Sequence, residues 1–131
     1  MSIKTIGRVV LAVLAGYITD VALVVATELM ARVPGRHVAQ PIRYYVIDLI
    51  TQCLYTVIGG YIACMIAGPV HRAAIITLIC LGLVVGSASL TASWNMEPHW
   101  YGIALLAVYG PCVWIGCSLR LRTKRFSSSQ P

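Results

Sequence analysis

Apolar residues fall in four long blocks, and each block is apolar around its whole circumference rather than along one stripe. The blocks run roughly Ile6–Met30, Tyr44–Ala67, Ala73–Ser93 and Trp100–Leu119. A helix needs about 20 mostly apolar residues to cross about 30 Å of hydrocarbon, so each block is long enough for one crossing. The pattern predicts an all-α integral membrane bundle of four antiparallel transmembrane helices, at about 6–30, 44–67, 73–93 and 100–119. A membrane β-barrel would instead show alternating polarity in strands of about ten residues, which these blocks lack. Only short loops and tails remain, so residues 1–131 read as a single four-helix transmembrane domain, with a short basic C-terminal tail at 120–131.

Composition agrees with the bilayer as solvent. Hydrophobic residues make up 59% of the chain and charged residues 11%, against about a quarter charged in a soluble domain. A water-soluble globule of this size could not cover its surface with so few charges. Lys4 and Arg8 ahead of an apolar run suggest a secretory leader, but the run continues to Met30 without a small-residue cleavage site. An uncleaved first helix is expected.

Charge then orients the helices. Lys4, Arg8, Arg72, Arg120, Arg122, Lys124 and Arg125 fall on one side of the proposed bundle, and Arg32, Arg36 and Arg43 on the other. Basic residues collect on the cytoplasmic side, so both termini are expected in the cytoplasm. The segment LRLRTKR at 119–125 suits the anionic inner leaflet. As a short tail without a folded basic face, it does not suggest nucleic-acid binding. Tyr44, Tyr45, Trp94, Trp100 and Tyr101 have the amphipathic rings that favour the interface, which sets the turn WNMEPHWY (94–101) at the outer surface.

With that topology the polar groups concentrate in the outer half. Asp20 lies about 3 Å outward of the midpoint of the first helix by the rise per residue, and Glu28 lies near its outer end. Asp48, Thr51 and Gln52 fall in the outer half of the second helix, and Ser87, Ser89, Thr91 and Ser93 in that of the third. Asn95, Glu97 and His99 occupy the outer turn. Asp48, Thr51, Gln52, Tyr55 and Gly59 follow helical three- and four-residue spacing and form one stripe. Lipid offers such a stripe no hydrogen-bond partner, so it should face the bundle interior. The asymmetry predicts a polar vestibule open to the outside and closed by apolar packing toward the cytoplasm.

Asp20 carries the sharpest alternative. A central aspartate costs about 2.5–3.5 kcal/mol to insert, and a low-dielectric setting favours the neutral acid. As a neutral acid it could donate to Gln52, Tyr55 or a serine of the third helix, a structural role. As a carboxylate reached from outside it could bind a proton or cation. Arg32, Arg36 and Arg43 could neutralise Glu28 and Asp48 at the rim. His37, His99, Glu97 and Glu28 lack the HxxxH or HExxH spacing of a zinc site, so no metal and no cofactor is expected.

Small residues mark packing faces. Gly59-Gly60, Gly82-xxx-Gly86 and Ser89-xxx-Ser93 allow close helix approach, either within the chain or against a second copy. Gly110-Pro111 in the fourth helix is a candidate kink. The five cysteines, Cys53, Cys64, Cys80, Cys112 and Cys117, lie inside the blocks without CxxC spacing, and read as small apolar packing residues rather than a disulfide framework.

The segments GGYIACMIAG (59–68), PHWY (98–101) and GPCVWIGCSLR (110–120) resemble those of short, uncharacterised four-helix membrane proteins of bacteria. The resemblance implies a multi-pass protein of the bacterial cytoplasmic membrane and supplies no activity. The layout also resembles small multidrug transporters in length, helix count and an acid in the first helix. Their essential acid is a glutamate, whereas Asp20 is shorter, and their near-balanced charge differs from the seven-to-three bias here. An enzyme is not expected, because no GxSxG or metal-ligand motif and no Ser/His/Asp set at one depth occurs. Two readings stay open. One is a structural or accessory protein that packs in the lipid bilayer with itself, as a homo-oligomer, or with a membrane-protein partner. The other is a small transporter or channel for protons, cations or a small cationic solute.

Overall fold

The computed structural model describes residues 2–30, 41–95 and 97–128, apart from the side chains of Glu28 and Met30. Arg32, Arg36 and His37 therefore lie outside the described residues, as does the Glu28 side chain. The described chain folds into helices α1 (Ile3–Met30), α2 (Ile42–Ala67), α3 (His71–Ala92) and α4 (His99–Ser127), with a 3-10 turn at Gly68–Val70 between α2 and α3. No strand occurs among the described residues. Three helical stretches are long and apolar enough to cross a membrane: Ile3–Thr27, Ile42–Ala92 and His99–Ser127. The middle stretch contains both α2 and α3.

Local chemistry sets the helix boundaries. Pro41 and Pro98 precede α2 and α4 in extended conformation, where a fixed φ starts a helix and the missing N–H costs nothing. Gly68 ends α2 at φ +58°, a backbone region that a residue with a side chain enters only with strain. Pro69 then stands in the first turn of the 3-10 segment. The helices run longer than the apolar blocks because backbone hydrogen bonding continues past the point where hydrophobicity stops. The largest difference is in α4. The sequence ends this helix near Leu119, whereas it continues to Ser127 and carries Lys124 and Arg125 in its last turn. Basic residues suit that position because they oppose the negative end of the helix dipole.

Glycines set how closely the helices meet. A Cβ on Gly16 of α1 would stand 2.9 Å from the Gly59 carbonyl, 2.9 Å from the Ala63 Cβ and 3.3 Å from Leu78 Cδ2. Ala63 and Leu78 flank the 3-10 turn at the same level, so α3 runs back along α2. Between α2 and α4 the numbering rises in the same direction. Asp48 meets Tyr101, Gly60 meets Val113, and Cys64 meets Cys117. Consecutive helices are thus antiparallel, while this glycine seam joins two parallel helices. A Cβ on Gly60 would lie 2.6 Å from the Val113 carbonyl oxygen, and one on Gly116 would strike the Val57 carbonyl.

The glycines of α3 meet side chains of α4 instead. Gly82 lies under the Tyr109 ring, and a Cβ on Gly86 would come within 2.7 Å of Leu106. Ser89 and Ser87 are exposed, and Ser87 donates to its own helix at the Leu83 carbonyl. Helix α4 passes through Gly110 and Pro111 as one continuous helical segment.

Dry packing occupies one end of the bundle. Val9, Ala12 and Val13 from α1 meet Ala63, Cys64 and Ala67 from α2, and Ala74, Ile75 and Leu78 from α3. Val113 and Cys117 complete the cluster from α4. Large side chains such as Leu11, Ile18, Ile47, Val84 and Trp114 point outward around the bundle, the surface a lipid solvent would cover.

The cysteines depart from the sequence reading. Cys64 and Cys117 are joined as a disulfide with Cα atoms 5.2 Å apart. Cys53, Cys80 and Cys112 are free thiols. The reason is tertiary, since the parallel α2–α4 seam brings together residues 53 positions apart and no local spacing announces it.

Candidate functional site

Opposite the dry end, the helices separate around a cavity of about 910 Å³. The polar stripe of α2 forms one wall, with Asp48, Thr51, Gln52 and Tyr55 all on the lining. Asp20 and Thr27 contribute from α1, and Gly86, Ser89 and Ser93 from α3. Helix α4 adds Tyr101, Tyr109 and Cys112. The structure therefore brings Asp20 and the α2 stripe into one enclosure. Gly59, the last member of the stripe, is buried in the α1 contact below it.

Asp20 and Asp48 each have a specific partner. The Thr56 hydroxyl donates to Asp20 Oδ1 at 3.5 Å, at the long limit of a useful hydrogen bond. Thr56 itself is buried. The partner is thus Thr56 of α2, rather than Gln52 or Tyr55 of the same helix or a serine of α3. Thr56 stands a four-residue step from Gln52, beside the stripe that runs through Tyr55. At the mouth, the Tyr101 hydroxyl donates to Asp48 Oδ2. Tyr55 and Thr27 share a hydroxyl–hydroxyl hydrogen bond across α1 and α2. Neither Thr27 nor Tyr101 stood out as a site residue in sequence, because each acquires its role only when another helix arrives.

Aromatic rings surround the mouth. Tyr45 packs against Tyr101 with centroids 5.2 Å apart and against Trp100 at 6.3 Å. Tyr44 stands edge-on to Tyr45 at 5.8 Å. Tyr44, Tyr45, Trp100 and Tyr101 thus form one cluster, which holds the start of α2 against that of α4. Trp94 stacks edge-on with His99 at 4.2 Å, so His99 packs against an aromatic ring. Among the described residues no group of three potential metal ligands gathers.

Two of the free thiols belong to this site. Cys53 and Cys112 both line the cavity, and their side chains hydrogen-bond across the α2–α4 seam. Thr51 lies on the lining while its hydroxyl is engaged by the Ile47 carbonyl at 2.9 Å.

Chemically, the arrangement offers three carboxyl groups, those of Asp20, Asp48 and Glu97, several hydroxyls and the faces of tyrosine rings, with no basic residue among the described residues of the lining. Such a set suits a positively charged guest, because carboxylates supply charge and ring faces supply cation–π attraction. No protein-family model matches the chain, and comparison with curated proteins and with solved structures gives no match.

Proposed function

We propose that the chain is a multi-pass membrane protein that admits a small organic cation to this cavity from the outer side, as a transporter or channel. The observation that carries the reading is the convergence of Asp20 and Asp48, from two different helices, on one tyrosine-walled cavity. Its volume of about 910 Å³ is within the range of small-molecule sites, about 300–1,000 Å³. A cation about 4 Å from a carboxylate gains about 4 kcal/mol at an effective dielectric constant of 20. That gain outweighs any single neutral contact the lining offers.

The membrane placement is part of the same proposal. Helices α2 and α3, with 26 and 22 residues, extend about 39 and 33 Å at 1.5 Å per residue. Each then crosses the hydrocarbon once, the reversal at Gly68 separating two crossings and giving four in all. The seven-to-three distribution of basic residues favours both termini in the cytoplasm of a bacterium. The cavity then opens outward and the dry cluster seals the inner half.

The accessory reading keeps one observation in its favour. Thr56 and Tyr101 donate to Asp20 and Asp48 within the chain, as a purely structural arrangement would require. Counterflow in proteoliposomes decides between the two. Tetraethylammonium should exchange across vesicles holding wild-type protein and fail to exchange with Asp20→Asn. Equal exchange for the wild type and protein-free vesicles would leave the accessory role.

A further inference from the structure

A second groove, of about 490 Å³, lies at the opposite end of the molecule. Its lining is His71 and Arg72 from the first turn of α3, with Leu121, Lys124, Arg125 and Ser128 from the end of α4. The sequence placed these α4 residues in a tail. The helical extension to Ser127 changes their meaning, since positions 121, 124, 125 and 128 follow three-, one- and three-residue steps and share one helix face. That face turns to the start of α3. The Ser128 N–H donates to the Lys124 carbonyl at 3.3 Å and keeps the last turn wound. The His71 ring is held by a contact of Nδ1 with the Gly68 carbonyl at 3.0 Å.

The electrostatics ask for an anion. Arg72, Lys124 and Arg125 bring three permanent positive charges to one groove beside His71, and no carboxylate lines it among the described residues. Like charges gathered in one groove repel, so the cluster is stabilised by a negative guest. The first turn of α3 adds its N-terminal dipole in the same sense. The apolar surroundings identify the kind of anion. Leu121, 38% exposed, stands in the groove among the basic side chains. A free phosphate has no use for that surface, whereas acyl chains do.

We propose that this groove binds the phosphate group of an anionic phospholipid, with Arg72, Lys124 and Arg125 on the phosphate and Leu121 against the acyl chains. Basic pockets between helix ends on the cytoplasmic side hold such headgroups. The inference rests on the membrane crossing of α3 and α4 and does not depend on what the cavity at the other end admits.

Thermal unfolding of the full chain in mixed micelles tests it, with phosphatidylcholine alone, with added phosphatidylglycerol, or with phosphatidylcholine and the same concentration of inorganic phosphate. Phosphatidylglycerol should raise the unfolding midpoint by several degrees, and inorganic phosphate should not. The gain should vanish in Lys124→Gln/Arg125→Gln and in Arg72→Gln, which removes charge from the other helix. It should persist in Arg122→Gln, whose residue is not on the lining. An equal midpoint in both lipids would overturn the proposal, as would equal loss in Arg122→Gln. Full stabilisation by inorganic phosphate would overturn the assignment to lipid.

Discussion

Asp20 shows how much one residue can depend on its surroundings. Its carboxyl is half-buried and receives only a long hydrogen bond from Thr56, so it retains capacity to accept a charged guest. Replacing it by asparagine keeps shape and hydrogen bonding while removing the charge. If the cavity holds a cation, Asp20→Asn lowers affinity by at least about tenfold, equivalent to about 1.4 kcal/mol, as read by equilibrium dialysis in detergent. The pH dependence has a fixed sign. Protons compete with the cation for the carboxylates, so binding should weaken as pH falls and recover as it rises. An affinity that increases on acidification would contradict a carboxylate site. The position of Asp20 was evident in the sequence, because an acid near the middle of an apolar block costs energy to insert. Its partner Thr56 was not, since threonine is common in helices and only the packing of α1 on α2 selects it.

At the scale of elements, the apolar blocks predict the helices because hydrophobic length is what a bilayer measures. Their ends were harder to read. Past Leu119, basic residues interrupt the hydrophobic signal, yet Arg120–Ser127 remains helical, since arginine, lysine and leucine are good helix formers. The seams depend on glycine in unequal ways. Gly116→Ala would drive a methyl group into the Val57 backbone carbonyl, which cannot move without shifting α2. Overpacking of this kind costs about 1–3 kcal/mol, more than the roughly 0.5–1 kcal/mol that alanine gains over glycine in a helix. Gly7 has open space around its Cβ position, so Gly7→Ala should be neutral or slightly stabilising. Unfolding of the two variants in mixed detergent should therefore differ in sign. A stabilised Gly116→Ala would show that α2 and α4 are not in contact there.

For the whole molecule, the parallel approach of α2 and α4 organises both the polar cavity and the dry end, and it was the least legible feature in the sequence. Apolar blocks specify lengths and alternation, but they do not say which helices touch. The cysteines make the point, because all five looked like packing residues until the seam paired Cys64 with Cys117. Those two are 3% and 2% exposed, which shields the bond from aqueous thiols in the folded state. Alkylation after unfolding without reductant should therefore modify Cys53, Cys80 and Cys112 alone, and all five cysteines after reduction. Five alkylated sites without reductant would remove the bond from the account. The proposed topology makes an equally direct demand. Cysteines introduced at Glu97 and Ser128 should be labelled from opposite sides of the membrane, whereas labelling from the same side would exclude an odd number of crossings between them.

The proposed function requires the cavity to recognise positive charge through Asp20 and Asp48, carboxylates from two helices. Calorimetric titration of tetraethylammonium into the protein in lipid nanodiscs tests it most directly, with wild type, Asp20→Asn and Asp48→Asn run in parallel. Saturable binding of one equivalent by the wild type, weakened in each variant and abolished in the double variant, is the predicted result. No saturable heat in the wild type, or undiminished binding in the double variant, would contradict it.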